Sequence, residues 1–384
     1  MKHELESFYE DTLRCMRCGL CRGLCPLWGF VGWESGSPRG RMQIVKALIE
    51  GNLEPNEYVM DRLYKCALCG YCLWRCPPGV RTTDVIKAAR AHLVHLGIYP
   101  KEIDTIEENL KEQHNIYGLP AESRTEWVEL MDISDIPIGE KADIVYFPGC
   151  LSSYSGRAMN IAYSTALILN SLGLNWTLMG EEEWCCGNPL QLSGKIDLME
   201  EIVNHNVEVI HSLEAKVLVT SCAGCYRTFI QDYPHYAKKL GFEVRHISQV
   251  ISENLDKIKL NYSDKPQIVT YHDPCELGRH VGLYDAPRNI LKAIPTLQFV
   301  ELPAKRELTK CCGGGGVLKM TNPELAIKLA SEKVEEAYSV NAEILSTCCP
   351  ACVLNITEGA STSRKDIKIL DVVEIVAQAM GLTE

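Results

Sequence analysis

The chain has 384 residues, 46% of them hydrophobic and 23% charged, with a formal charge of −11 at pH 7. That acidic excess argues against a protein whose affinity rests on clustered Lys and Arg facing phosphates, so no nucleic-acid partner is expected. No apolar run reaches the roughly 18–20 residues of a membrane helix, the richest stretch, 161–174, being broken by Ser164, Asn170 and Ser171.

The N-terminal MKHELESFYEDTLRC carries acidic residues where a signal peptide needs its apolar segment. A cytoplasmic location is therefore expected, with any hold on the inner face of a membrane supplied by a partner. Nineteen cysteines are too many for an ordinary chain of this kind. A disulfide framework suits small secreted domains, whereas clustered thiols in an intracellular chain serve as ligands for soft metals and clusters.

The first element is Cys15-x2-Cys18-x2-Cys21-x3-Cys25-Pro26, repeated as Cys66-x2-Cys69-x2-Cys72-x3-Cys76-Pro77. This is the run that holds 4Fe–4S clusters. Three thiolates with two residues between each let a short loop wrap three corners of a cube, with Gly19 and Gly70 tolerating the tight backbone. The fourth cysteine, followed by proline, points to the other cluster in two-cluster ferredoxins. One cubane is therefore assigned to Cys15, Cys18, Cys21 and Cys76, and a second to Cys66, Cys69, Cys72 and Cys25. A pair of zinc knuckles is the competing reading, but tetrahedral zinc uses two separated CxxC pairs.

Between the runs, 40–49 has helical spacing, with Pro38 and Gly40 at its start and Gly51 at its end, and a second helical segment covers 83–95. Arg39 and Arg41 stand at the start of the first, either facing the clusters' negative charge or solvated. A helix between cluster runs resembles the α-helical ferredoxin domain of succinate dehydrogenase iron–sulfur subunits. The expected domains are 1–105 for this unit, a charged and weakly periodic connector at 106–140, and two modules at 141–263 and 264–384.

The remaining eleven cysteines form two sets: Cys150, Cys185-Cys186-Gly187 and Cys222-x2-Cys225, then Cys275, Cys311-Cys312-Gly313 and Cys349-x2-Cys352, with Cys348 left over. The two sets are offset by 125 to 127 residues, which marks a duplicated module. Strand-like runs at 143–150, 216–222, 268–275 and 342–347 lead into the cysteines, and helical patterns at 196–213 and 323–338 separate them. Strands alternating with helices predict α/β layers with ligands on loops beyond strand ends. The expected architecture is a multidomain α+β chain: a helical two-cluster ferredoxin domain, then a duplicated α/β unit.

The pattern C-x(30s)-C-C-G-x(30s)-C-x-x-C resembles the cysteine-rich CCG domain of heterodisulfide reductases. A ferredoxin domain ahead of two such modules is most similar to their D subunits. The iron–sulfur subunits of glycolate oxidase, anaerobic glycerol-3-phosphate dehydrogenase and lactate-utilisation enzymes are related. The resemblance implies a noncubane 4Fe–4S cluster on Cys150, Cys185, Cys186, Cys222 and Cys225, and another on Cys275, Cys311, Cys312, Cys349 and Cys352. It also implies cleavage of a disulfide there, each sulfur captured by iron, the substrate in methanogen-type members being the heterodisulfide of coenzyme M and coenzyme B. A degenerate or zinc-bearing scaffold is the competing reading of these modules.

Cys348 reads as a buried thiol or an alternative ligand. His272 and His280 flank Cys275 as proton donors to a leaving thiolate or as hydrogen-bonding supports. The glycine run 313–316 fits close backbone approach rather than a phosphate loop, and the Walker-like Gly187 to Lys195 has the wrong spacing. No flavin or nicotinamide fingerprint is present. Electrons are therefore expected from a partner, a flavoprotein dehydrogenase or a membrane b-type cytochrome. A relay subunit without small-molecule chemistry, linking such a dehydrogenase to a quinone or cytochrome, is the alternative function.

Overall fold

The computed structural model describes residues 5–131, 135–262 and 265–383. The boundary expected between 263 and 264 lies outside them. The N-terminal unit is helical, with the two cysteine runs joined through the helix Pro38–Ile49 and backed by the helix Thr82–His95. Ser37 caps the first of these helices by accepting from the Gly40 amide, and Pro38 at its first position loses no needed hydrogen bond.

Two four-stranded parallel sheets follow. The first contains β1 (Ile144–Phe147), β2 (Trp176–Leu178), β3 (Val217–Thr220) and β4 (Glu243–His246), in the order β2-β1-β3-β4. The second contains β5 (Gln267–Tyr271), β6 (Leu297–Phe299), β7 (Ile344–Thr347) and β8 (Lys368–Asp371), in the order β6-β5-β7-β8. The register repeats with the topology: Ile144 pairs with Val217 and Val269 with Ile344. Runs such as Ile144-Val145-Tyr146-Phe147 are apolar on both faces because helices cover both sides of a parallel sheet.

In each sheet the chain leaves the central strand for one edge and returns on the other side. The carboxyl ends of β1 and β3, and of β5 and β7, therefore form a crevice. The two modules share one hydrophobic core, in which Ile161 and Ala162 of the helix Gly156–Ser171 join Ile375 and Val376 of the helix Val372–Ala379. Arg157 ties them at the rim, donating to Glu374 at 2.6 and 3.0 Å.

The stretch read as a connector is folded onto the first sheet. It contains the helices Asp104–Gln113 and Glu126–Leu130, buries Trp127 completely, and places Ile106 and Leu110 in the first module's core. Its apolar residues are few and widely spaced among charges, which is why its periodicity is weak. The ferredoxin unit is likewise docked. Arg90, fully buried, donates to the carbonyls of Leu63, Tyr64 and Cys66 in its own unit, to Leu192 in the first module and to Gly316 in the second.

Candidate iron–sulfur centres

The two ferredoxin loops have the same backbone. Arg17 and Leu68 adopt positive φ (57° and 52°), as do Gly19 and Gly70 (81° and 72°). Non-glycine residues in the left-handed region are strained, and two at matched positions mark a loop shaped for something inside it. Around Cys21 stand Cys15, Cys18 and Cys76; around Cys72 stand Cys66, Cys69 and Cys25. The second group lines an enclosed cavity floored by apolar side chains. Burial pushes the Cys25 thiol up to about 11. Arg41 faces it and is itself fixed by donating to the carbonyls of Arg62 and Lys65 at 2.7 Å. Arg39, held by Glu34 at 2.7 Å, donates to the Arg17 carbonyl of the first loop at 3.0 Å and stands near the Cys21 and Cys15 thiols.

In each module the first cysteine follows the central strand, and the CxxC pair follows its neighbour. Cys222 and Cys349 are themselves the N-caps of the helices Ala223–Arg227 and Pro350–Ser363. All ten module cysteines are buried and free. Their thiols form an unbroken series of hydrogen-bonding contacts: Cys150 to Cys185, Cys185 to Cys186, Cys186 to Cys225, and Cys225 to Cys222 in the first module. In the second, Cys349 meets Cys352, Cys352 meets Cys312 at 3.2 Å, and Cys311 meets Cys312 and Cys275.

Two further contacts join the sets. Cys222 touches Cys349, and since these are equivalent residues of the duplicated module, the pseudo-twofold axis runs between them. Cys69 of the ferredoxin unit touches Cys311, whose hydrogen bond pulls the Cys69 thiol down while its own is pushed up. The thiolate is the form that ligates metal.

The side chains around the thiols differ between modules. Beside Cys150, Arg124 donates to Glu183 at 2.6 Å with its other amine 3.9 Å from the sulfur, and Glu183 also accepts from the Gly149 amide at 3.1 Å. Burial pushes the Glu183 carboxyl up to about 7. In the second module a ring nitrogen of His272 lies within 4.8 Å of the Cys312 and Cys352 sulfurs. Its Nδ1 shares a hydrogen bond with the Thr309 hydroxyl at 3.4 Å, while Nε2 is buried without a partner.

Arg279 donates to the Cys69 carbonyl at 2.7 Å and stands among Cys69, Cys275 and Cys311, with its Nη2 also buried and unpartnered. Two orphaned buried donors facing clustered thiols are what an anionic metal–sulfur group would satisfy. Five thiols per module exceed the four that zinc takes.

The sequence-predicted residues separate accordingly. His272 is at the thiols. His280 is directed elsewhere: its Nε2 donates to the Leu68 carbonyl at 3.0 Å, and the ring lies over Gly70. Cys348 contacts the Tyr271 hydroxyl and stands near Asp371, away from the cluster-side thiols. Its counterpart, Ser221, shares a 2.9 Å hydrogen bond with Tyr146 in the same way. Lys195 of the discarded Walker-like stretch pairs with Asp104 at 2.6 Å and with Glu107. Arg124, Glu183 and Arg279 were not singled out from the sequence. Arg279 alone had a signal, its place four residues after Cys275.

Comparison with known proteins agrees with this geometry. The cysteine-rich CCG domain model matches residues 144–230 and 269–357, and the 4Fe-4S dicluster domain model matches 11–80. The D subunit of the dihydromethanophenazine:CoB–CoM heterodisulfide reductase of Methanosarcina barkeri is 37% identical, over 96% of this chain and 94% of its own. The chain belongs to the family of heterodisulfide reductase D subunits. As a member of that family it is an iron–sulfur electron-transfer oxidoreductase. A more distant relative, the B subunit of the fumarate reductase (CoM/CoB) of Methanothermobacter marburgensis, is 30% identical over 97% of this chain and 73% of its own. The fold alone is shared with a hypothetical protein from Helicobacter pylori, at a TM-score of 0.62 and 11% identity, over 91% of this chain and 68% of that one. Among the described residues no helix is long and apolar enough to cross a membrane.

Proposed function

We propose that this relative of the heterodisulfide reductase D subunits reduces a disulfide at the paired CCG modules, using electrons that enter through its ferredoxin unit. The observation that carries the reading is the continuous series of thiols from Cys69 through Cys311, Cys312, Cys352 and Cys349 to Cys222 and on to Cys150. Two cubane clusters would be held by Cys15, Cys18, Cys21 and Cys76 and by Cys66, Cys69, Cys72 and Cys25. Two noncubane clusters would be held by Cys150, Cys185, Cys186, Cys222 and Cys225 and by Cys275, Cys311, Cys312, Cys349 and Cys352. When bound, they supply one-electron carriers and iron sites for sulfur.

The chain's own residues do the rest. The two CxxC helices meet at the pseudo-twofold axis, so the modules present two centres side by side to the two sulfurs of one substrate. Cleaving a disulfide to two thiols takes two electrons and two protons. His272, one ring nitrogen of which lies within 4.8 Å of the Cys312 and Cys352 sulfurs, is placed to donate one of those protons. Arg279 and Arg124 hold positive charge against the thiol groups of their modules. His280 fastens the Leu68 carbonyl of the ferredoxin loop and takes no part in proton transfer. A flavoprotein or a membrane b-type cytochrome would supply the electrons, and such a partner would also set any attachment to the inner face of a membrane.

The test is anaerobic reduction of the coenzyme M–coenzyme B heterodisulfide by the purified protein, with reduced viologen as donor and about 16 irons per chain established first (four clusters of four). Turnover abolished by Cys312→Ser is the expected result. A second reading, a relay subunit serving a separate dehydrogenase, is favoured by the exposure of Cys18 at the chain's surface. Full iron with no turnover would overturn that substrate and shift the balance to the relay reading.

A further inference from the structure

The exposed face around Cys15, Cys18 and Cys21 has a composition unlike the rest of the molecule. Residues 12–33 hold Arg14, Arg17 and Arg22 and no carboxylate, and residues 66–83 hold Arg75 and Arg81 and no carboxylate, in a chain whose overall charge is −11. Both stretches meet here, because Cys76 stands beside Cys21. Apolar side chains lie open among the arginines: Met16 is 71% exposed, Trp33 70%, Leu20 53% and Trp74 43%. Arg14, Arg17 and Arg75 are exposed, and among the described residues none of the three is within salt-bridge distance of a carboxylate, Asp11 near Arg14 being paired with Arg81. Of the two carboxylates that border the first stretch, Asp11 is held by Arg81 at 2.6 Å and Glu34 by Arg39 at 2.7 Å. Contiguous exposed apolar surface rimmed by one sign of charge marks an interaction site.

We infer that this face docks a redox protein through a carboxylate-rich surface surrounding an apolar centre. The inference rests on the reading that Cys15, Cys18, Cys21 and Cys76 hold a cluster. Cys18, the one exposed cysteine of the nineteen, puts that centre's edge in the middle of the patch, where a docked electron carrier reaches it. A lipid surface would match arginine and tryptophan equally well but delivers no electrons, so the position of the exposed ligand favours a protein. Opposite charge steers such encounters and makes their rate fall with salt.

The experiment uses the iron-loaded chain with three electron donors or acceptors in stopped flow: an acidic flavodoxin, a basic cytochrome c and a small viologen. The flavodoxin rate is expected to fall about tenfold or more between 20 and 300 mM NaCl, and by a similar factor in the double variant Arg14→Glu, Arg75→Glu at low salt. Viologen kinetics and iron content should stay unchanged, and the cytochrome c rate should not fall. A flavodoxin rate indifferent to the double variant overturns the assignment. So does arginine-dependent sedimentation with phosphatidylglycerol vesicles when flavodoxin transfer is unaffected, which would make the face a membrane contact. An unsubstituted chain about four irons short, with no low-potential signal from this loop, would sink the underlying cluster reading and is separated from docking by the iron count alone.

Discussion

The two CCG modules have one skeleton and two different surroundings. Strand order, register and five thiols repeat, yet at the end of the central strand the first module carries Phe147 and the second His272. Two residues before the double cysteine the first has Glu183, locked by Arg124, and the second has Thr309, turned toward His272. Phe147 packs edge-on to Phe229, with centroids 5.0 Å apart, so the first module's thiols are backed by aromatic rings where the second module has a titratable one. Among the described residues it is the second module that touches the ferredoxin unit's thiols, through Cys69. Duplication supplied the thiol frame; single substitutions and the segments outside the repeat set one half against the ferredoxin unit's Cys69 and gave the two halves different neighbours.

Breaking the attachment of the second half to the ferredoxin unit should give the largest effect. Arg90→Met strips five buried carbonyls of a charged donor, and removing one partner from a buried charged network costs about 3–5 kcal/mol. Limited proteolysis should then release the N-terminal unit, and thermal unfolding should resolve two transitions. A single transition at the original temperature would show that the three bodies are held together elsewhere.

Gly316→Ala tests the same seam more locally. A Cβ there would lie 2.5 Å from the Ala67 backbone at a φ of 66°. Gly282→Ala, at a φ of 77° with open space around it, carries the backbone strain without the clash and is the control. Viologen-driven turnover should fall at least tenfold more in the first variant than in the second. Equal losses would mean that the ferredoxin loop tolerates displacement.

Exchanging the two residues at the strand ends sharpens the comparison. His272→Phe should lower heterodisulfide turnover about 10- to 100-fold, the range seen when a residue supporting a metal centre is removed, with iron content kept. Phe147→His should change it by less than threefold. If both variants behave alike, the asymmetry at the strand ends has no part in the chemistry.

Much of this architecture was legible because it depends on local pattern. The helix expected at 323–338 is Pro323–Tyr338, and the strand expected at 342–347 is Ile344–Thr347, since each is a clean apolar period bounded by turn residues. The thiols were legible for the same reason, their spacing being set by loop geometry. What stayed hidden depends on distance. Arg124 comes from a stretch that reads as a connector, and Arg90 finds its acceptors 102 and 226 residues away. His272 and His280 look equivalent on either side of Cys275. The first, however, ends a strand pointing into the crevice, and the second lies in a turn that closes on Leu68.

The smallest effect is expected at the cysteine the duplication leaves over. Cys348 occupies the place of Ser221, and each faces the hydroxyl of the tyrosine on its central strand, Tyr271 and Tyr146. Burial and the nearby Asp371 raise its thiol well above the ordinary value, and its contact is with the Tyr271 hydroxyl. Cys348→Ser gives the second module the residue the first already has, with a hydroxyl that makes the same contact in slightly less volume. Iron content and turnover should therefore be unchanged, and stability should shift by no more than about 1 kcal/mol. A loss of about four irons in that variant would make Cys348 a ligand, and would mean that the two modules differ in their ligand sets and not only in their surroundings.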